Sequence, residues 1–311
     1  MRTCLTRHAL CLLLVVAATG AVAQDKGTLE PHALPPLAHP DDPKTPAKEL
    51  FGRKTAPTKD EPKVVGFYAN GCLAGGTALP INGPAWQVMR LSRNRNWGHP
   101  TLIRFLENLA TKVHKAGTWN GLLVGDMSQP RGGPMITGHA SHQVGLDADI
   151  WLTPMPDREL TRLEREEMSA INAVAEDRRD VDPKIWTPGH LALIKAAAHD
   201  PQVERIFVNA AIKKALCRDT DPDRAWMTKV RAYWGHDYHF HVRLQCPADS
   251  SECKPQAPPP PGDGCGKDLN WWFTDAVLHP KPEPEPAPEH KKTGLTMAKL
   301  PPACRGVLNA P

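Results

Sequence analysis

Six cysteines constrain this chain more tightly than any other feature: Cys72, Cys217, Cys246, Cys253, Cys265 and Cys304. Two more, Cys4 and Cys11, fall in a stretch that reads as a secretory signal. There Arg2 and Arg7 precede an apolar run from Ala9 to Ala18, and Ala21-Val22-Ala23 supplies small residues at an A-x-A spacing. The run is too short to cross a bilayer, and no later run is long enough. Residues 1–23 are therefore expected to be removed, leaving a mature chain near Gln24 in an oxidising compartment. An even set of cysteines there implies three disulfides, and six cysteines permit fifteen connectivities. None of the six forms a C-x-x-C pair, which argues against a zinc ribbon or a thioredoxin-like redox site.

Charge narrows the partners. The formal net charge of +4 falls by two once Arg2 and Arg7 leave, and the basic residues are scattered. A nucleic-acid binder would carry a basic patch or stripe, so no nucleic-acid partner is expected. A length of 311 residues suits one substantial domain with linkers. Residues 24–60, rich in Pro, Lys and Asp, read as an extended leader. Residues 61–253 hold the periodic segments and form the expected domain. Residues 254–311 are Pro-rich (KPQAPPPPGDG, HPKPEPEPAPEH), a composition that favours extended polyproline geometry. Cys265 and Cys304 lie in that tail, and bridges from them to the domain would strap it down.

Periodicity supplies the elements. Leu102, Phe105, Leu106, Leu109 and Val113 recur at helical steps over Thr101–Ala116, and Gly117 stops the run. Gly121–Met127 reads as a buried strand. In LDADIWL, Leu146, Ala148, Ile150 and Leu152 alternate with Asp147, Asp149 and Trp151. A polar helix is predicted over 160–175, and another from the cap Thr187 with Pro188 at its first position to His199. Val203–Asn209 is a strand, short helices are predicted over 209–216 and 223–234, and His239–Cys246 closes the domain as a strand. Without a regular βαβα rhythm, these elements predict an α+β fold, a mainly antiparallel sheet flanked by helices.

Five of the fourteen histidines crowd two windows, GHASHQVGLDAD with His139 and His142, and GHDYHFH with His236, His239 and His241. Catalytic zinc sites use imidazole nitrogens and carboxylate oxygens as three protein ligands. Strand alternation in HFHVRL puts His239, His241 and Arg243 on one face and Phe240, Val242 and Leu244 on the other. Asp149 lies on a strand and His142 on the loop leading into it, so the two can close on one metal. Asp147 either orients a ligand histidine or anchors the Arg131 loop. Gly132 and Gly133 either let backbone approach substrate or make a tight turn. An H-E-x-x-H arrangement is absent.

The segments SQPRGGPMITGHASHQVGLDADIWLTP and YHFHVRLQCPADSSEC resemble those of penicillin-insensitive murein endopeptidases. That family is part of a group of zinc peptidases including lysostaphin, D-Ala-D-Ala metallopeptidases and hedgehog domains. The likeness spans roughly residues 66–265, with a weaker echo to Cys304. It implies a periplasmic enzyme that cuts D-alanyl–meso-diaminopimelyl cross-links of peptidoglycan. Carried onto matching positions, it makes His142, Asp149 and His241 the zinc ligands, with His139 sometimes counted among them. His239 becomes the general base or a transition-state stabiliser, and His236 a further active-site histidine; zinc chemistry adds that a protonated His236 would steady the oxyanion. The resemblance also implies the disulfides Cys72–Cys304, Cys217–Cys265 and Cys246–Cys253. A second, weak metal site of such enzymes falls here on DRRD (Asp177 to Asp180), which lacks its histidine.

A zinc-activated water needs no serine or cysteine nucleophile, so β-lactams would have nothing to acylate. Ser251–Lys254 and Lys292–Gly294 match S-x-x-K and K-T-G of serine penicillin-binding enzymes. They lie about forty residues apart in the Pro-rich tail without an S-D-N element, and read as chance matches. Two other readings keep the zinc: a D,D-carboxypeptidase or amidase acting on peptidoglycan, and a non-catalytic peptidoglycan-binding domain.

Overall fold

The structure, a computed structural model, describes residues 26–280 and 294–311; the expected signal peptide lies outside the described residues. In chain order the elements begin with α1 (Ala47–Phe51), the hairpin strands β1 (Lys63–Phe67) and β2 (Asn70–Ala74), and the short β3 (Thr77–Ala78) and β4 (Asn82–Gly83). Then come β5 (Trp86–Val88), β6 (Trp97–Gly98), α2 (Pro100–Lys115), β7 (Leu122–Val124) and β8 (Asp147–Trp151). They are followed by α3 (Arg162–Glu167), α4 (Pro188–Ala198), β9 (Val203–Val208), α5 (Ala210–Asp219), β10 (Val230–Ala232) and β11 (His239–Leu244). Short helices α6 (Lys267–Asn270) and α7 (Asp275–Leu278) precede α8 (Ala303–Asn309).

Seven strands form the main sheet in the order β10-β9-β11-β8-β7-β5-β4. Only β10–β9 and β5–β7 run parallel, so the α+β class and the mainly antiparallel sheet hold. The helix starts follow their sequence signals. His99 caps α2 by accepting from the Thr101 N–H, with Pro100 at the first position. The Thr187 N–H donates to His190 Nδ1 at 3.1 Å, and Pro188 opens α4. Leu102, Phe105 and Leu106 of α2 and Leu193, Ile194 and Ala197 of α4 join one core. Their partners in it include Ala148 and Ile150 of β8 and Phe240, Val242 and Leu244 of β11. Helices thus seal one face of the sheet, and the polar residues of β8 and β11 are left facing the other.

Three expectations change. The helix predicted over 160–175 stops at Glu167. Its start has a capping box between Thr161 and Glu164, but tertiary pairings take the rest. The Ala173 N–H donates to Asp237 O and Val174 bridges Val181, bonds that a continuing helix would forfeit. In the 223–234 segment one tight turn, Ala225–Lys229, gives way to β10, which finds a partner on the free edge of β9. The leader is not wholly extended: Ala47 and Phe51 of α1 are fully buried with Val65, Cys72, Leu300, Cys304 and Leu308. Both ends of the described chain therefore cover the β1–β2 hairpin as a second small core.

Disulfides join Cys72 to Cys304, Cys217 to Cys265 and Cys246 to Cys253, the pairs that the family resemblance implies. Among the described residues no helix is long and apolar enough to cross a membrane.

Candidate metal centre

The site begins as a cross-strand register. β11 pairs with β8 so that His241 lies opposite Asp149 and Arg243 opposite Asp147. Side chains directly opposite on antiparallel strands share a face, so two ion-pairing couples line up on the polar side of the sheet. The alternation read in HFHVRL is what puts them there. His142 reaches the same point from the loop before β8, in a left-handed backbone conformation (φ 64°). A non-glycine residue holds this region only when its surroundings impose it. Here the His142 N–H donates to Asp147 Oδ2 at 3.0 Å, which pins the turn to the strand that follows it. His236 shares the left-handed conformation (φ 55°).

Asp149 is the focus. Its carboxylate is 3.1 Å from His241 Nδ1, 3.4 Å from His142 Nε2, 3.4 Å from His139 Nε2 and 3.6 Å from His239 Nε2. Every ion-pair partner of Asp149 among the described residues is thus a histidine. His139, His142 and Asp149 offer ligand atoms all within 4.8 Å of one another, and the His142 and His241 rings lie 4.6 Å apart. His142 is fully buried, yet neither of its ring nitrogens makes a hydrogen bond, nor does Nδ1 of His239. Buried polar atoms almost always find partners. Imidazole lone pairs left over around one buried carboxylate are a donor set that fits a cation of the zinc type.

Behind this cluster stands Asp147, fully buried. Its Oδ1 lies 3.2 Å from His241 Nε2 and accepts from Arg243 Nε at 2.8 Å. Asp147 therefore orients His241 so that Nδ1 faces Asp149, and it does not anchor the Arg131 loop. Arg131 instead donates to the carbonyls of Ala56, Val307, Leu308 and Ala310, clamping α8. Gly132 and Gly133 do not face a substrate either. A Cβ on Gly132 would meet Gln143 O, and one on Gly133 would meet the Phe51 ring, so both serve close packing inside the protein.

Electrostatics separate the histidines. Burial pushes His142 down to about 4 and lowers His239 as well, partly against the pull of Asp149. Burial also opposes a charge on His241, but Asp147 and Asp149 outweigh it and lift the ring to about 9. His236 is driven down to about 3 by burial and by the neighbouring His239 and His241. Its Nδ1 lies 2.7 Å from Trp234 O. A carbonyl only accepts, so Nδ1 carries the proton and Nε2 of the neutral ring is an acceptor.

Asp126 escaped the sequence reading. It follows the apolar run GLLV of β7, and its carboxylate meets His139 Nε2 at 3.2 Å, Arg93 at 2.9 Å and Arg95 at 2.8 Å. An aspartate within the segment read as a buried strand, Gly121–Met127, was the available signal. Asp180, at the place of the second weak metal site, is already paired with Arg218 and Lys214, so its charge is answered without a metal. Ser251 and Lys254 lie in and just beyond the loop closed by Cys246–Cys253, and the Lys254 N–H donates to Gly66 O of β1. Lys292 lies outside the described residues.

An α+β domain with histidines gathered on a buried aspartate is the architecture of a protein built to hold a metal ion. Its sequence profile is specific: residues 64–309 match the family described as penicillin-insensitive murein endopeptidase, and the chain belongs to that family. A penicillin-insensitive murein endopeptidase of Klebsiella pneumoniae subsp. pneumoniae is 45% identical over 255 residues, 82% of this chain and 89% of its own length. The protein of that name from Haemophilus influenzae is 44% identical over 262 residues, 83% and 87% of the two chains. One from Yersinia enterocolitica is 45% identical, covering 82% and 88%.

Proposed function

We propose that this chain is an exported, zinc-dependent murein endopeptidase that hydrolyses D-alanyl–meso-diaminopimelyl cross-links of peptidoglycan in the periplasm. The observation that carries the proposal is the convergence of four imidazoles on buried Asp149, with neither His142 ring nitrogen in a hydrogen bond. Family membership supplies the substrate class. His142, Asp149 and His241 would hold the ion. His139, the most exposed of the four at 27%, would join them on the side open to substrate.

Zinc, when bound, supplies a Lewis acid that makes water nucleophilic near neutral pH. The rest falls to the chain. His239, kept neutral by burial, takes a proton at Nε2 and returns one to the leaving amine. His236, with Nδ1–H tied to Trp234 O, offers a second acceptor beside it. The rings of the two lie 5.0 Å apart. Asp147 and Arg243 hold the His241 ring in place. No serine is used, and insensitivity to penicillin follows.

Metal content by mass spectrometry, together with muropeptide products made with and without chelator, tests this reading. Cross-linked dimers should become monomers, stop doing so when the metal is stripped, and resume with added zinc. Release of terminal D-alanine alone would make the protein a carboxypeptidase. Separation of sugar from peptide would make it an amidase.

A further inference from the structure

Three indoles stand together on the surface beside this site. Trp234 and Trp271 are 50% and 53% exposed, and the Trp272 ring lies 4.9 Å from Trp234 and 5.2 Å from Trp271. Single exposed apolar residues are ordinary, but a contiguous aromatic patch marks a binding surface. The patch is assembled from two distant segments. Trp234 comes from the loop between β10 and β11, whereas Trp271 and Trp272 follow α6 in the C-terminal segment. The Cys217–Cys265 bridge fixes that segment on α5, and Lys213 and Arg224 grip Asp263 just before it. Buried Val277 and Leu278 anchor it on the far side.

The patch is continuous with the metal centre. Tyr233, itself 51% exposed, lies 5.7 Å from the His236 ring, which is 5.9 Å from His241. Trp234 is two residues from His236, so their Cα atoms are at most about 7 Å apart. A murein stem peptide of about four residues spans at most about 14 Å from its sugar to the cross-link. The sugar bearing the cut stem therefore falls within reach of these rings.

Resting on the endopeptidase reading above, we infer that Trp234, Trp271 and Trp272 form a stacking platform for an N-acetylhexosamine ring of the murein glycan strand. A pyranose presents a face of C–H bonds, which suits the electron-rich face of an indole. Arg178 lines the same cleft with Asn209, Tyr233, Trp234 and Trp272. It donates one N–H to Leu278 O, and its guanidinium is suited to sugar hydroxyl or acetamido oxygens. The platform explains why the Pro-rich segment is bolted down: it carries two of the three indoles.

The test compares wild type with Trp271→Ala and Trp272→Ala, which leave Trp234 and its bond to His236 in place. Tryptophan fluorescence is titrated with tetra-N-acetylchitotetraose and with peptide-free murein glycan. Turnover is measured on disaccharide-bearing cross-linked dimers and on the same dimers freed of sugar. Glycan should perturb wild-type fluorescence, and each substitution should weaken that response about tenfold. Each should also raise KM about tenfold for sugar-bearing dimers while leaving turnover of sugar-free dimers unchanged. The inference is overturned if glycan gives no response, if both dimers suffer equally, or if the substitutions instead dissolve a homodimer. Wild type that binds glycan but cleaves nothing removes the endopeptidase reading and leaves the platform. Cleavage without glycan binding does the reverse.

Discussion

At the scale of single residues, the proposed centre gives metal binding and proton transfer to different histidines, and substitution should divide them. His142→Ala, Asp149→Ala and His241→Ala each remove a donor from the group gathered on Asp149 and should lose bound metal, read by elemental analysis. His239→Ala should keep the metal and lower kcat by about 10²–10⁴ fold, the usual worth of a general base. Full metal content in any of the first three would sink the ligand assignment. These residues were legible in sequence because zinc sites draw on few side-chain types and because strand alternation fixes which side chains share a face. Asp126 was not, and for Asp147 the sequence left two roles open that the His142 N–H donated to its carboxylate decides. Both depend on which loop folds back over the sheet, and no local pattern records that.

Among the elements, β8 and β11 carry the site, and α8 carries the closure. Cys304 of α8 bridges to Cys72 of β2 across 232 residues of chain, and Arg131 holds the last carbonyls of the same helix. A bridge closing so long a loop acts mainly by restricting the unfolded chain. Cys304→Ser should therefore cost about 2–5 kcal/mol, measured by denaturant unfolding. Metal content of the folded fraction should be retained, because β2 contributes no side chain to the cluster; its loss would tie the two cores together more closely than the contacts suggest. Elements that end where propensity says they end, α2 and α4, were readable from caps and spacing. The helix that halts at Glu167 and strand β10 were not, because bonds to distant segments outcompete weak local preference.

For the whole molecule, the fully buried Lys213 shows how the C-terminal segment is held. Its ammonium donates to Met227 O and Asp263 O, and burial followed by repulsion from Arg231 pushes it down to about 7. The folded chain then releases this proton near pH 7, whereas the unfolded chain keeps it to about 10.5. Between those values the unfolded state binds more protons, so stability from this group rises with pH. The melting temperature of wild type should accordingly gain on that of Lys213→Met between pH 7 and pH 10 in thermal scans. A difference that stays flat across the range would mean that the lysine titrates normally.

What the sequence determined by itself was chemistry and element type: an α+β chain, three disulfides' worth of cysteines, and histidines spaced for a metal. The physical reason is that ligand type, strand alternation and helix capping act within a few residues. Tertiary structure alone decided how those parts meet. It set His241 opposite Asp149, forced His142 into a left-handed turn, and made His236 an acceptor by tying its Nδ1–H to Trp234 O. It also turned a leader and a Pro-rich tail into working parts, since a residue's burial and its partners depend on segments far along the chain.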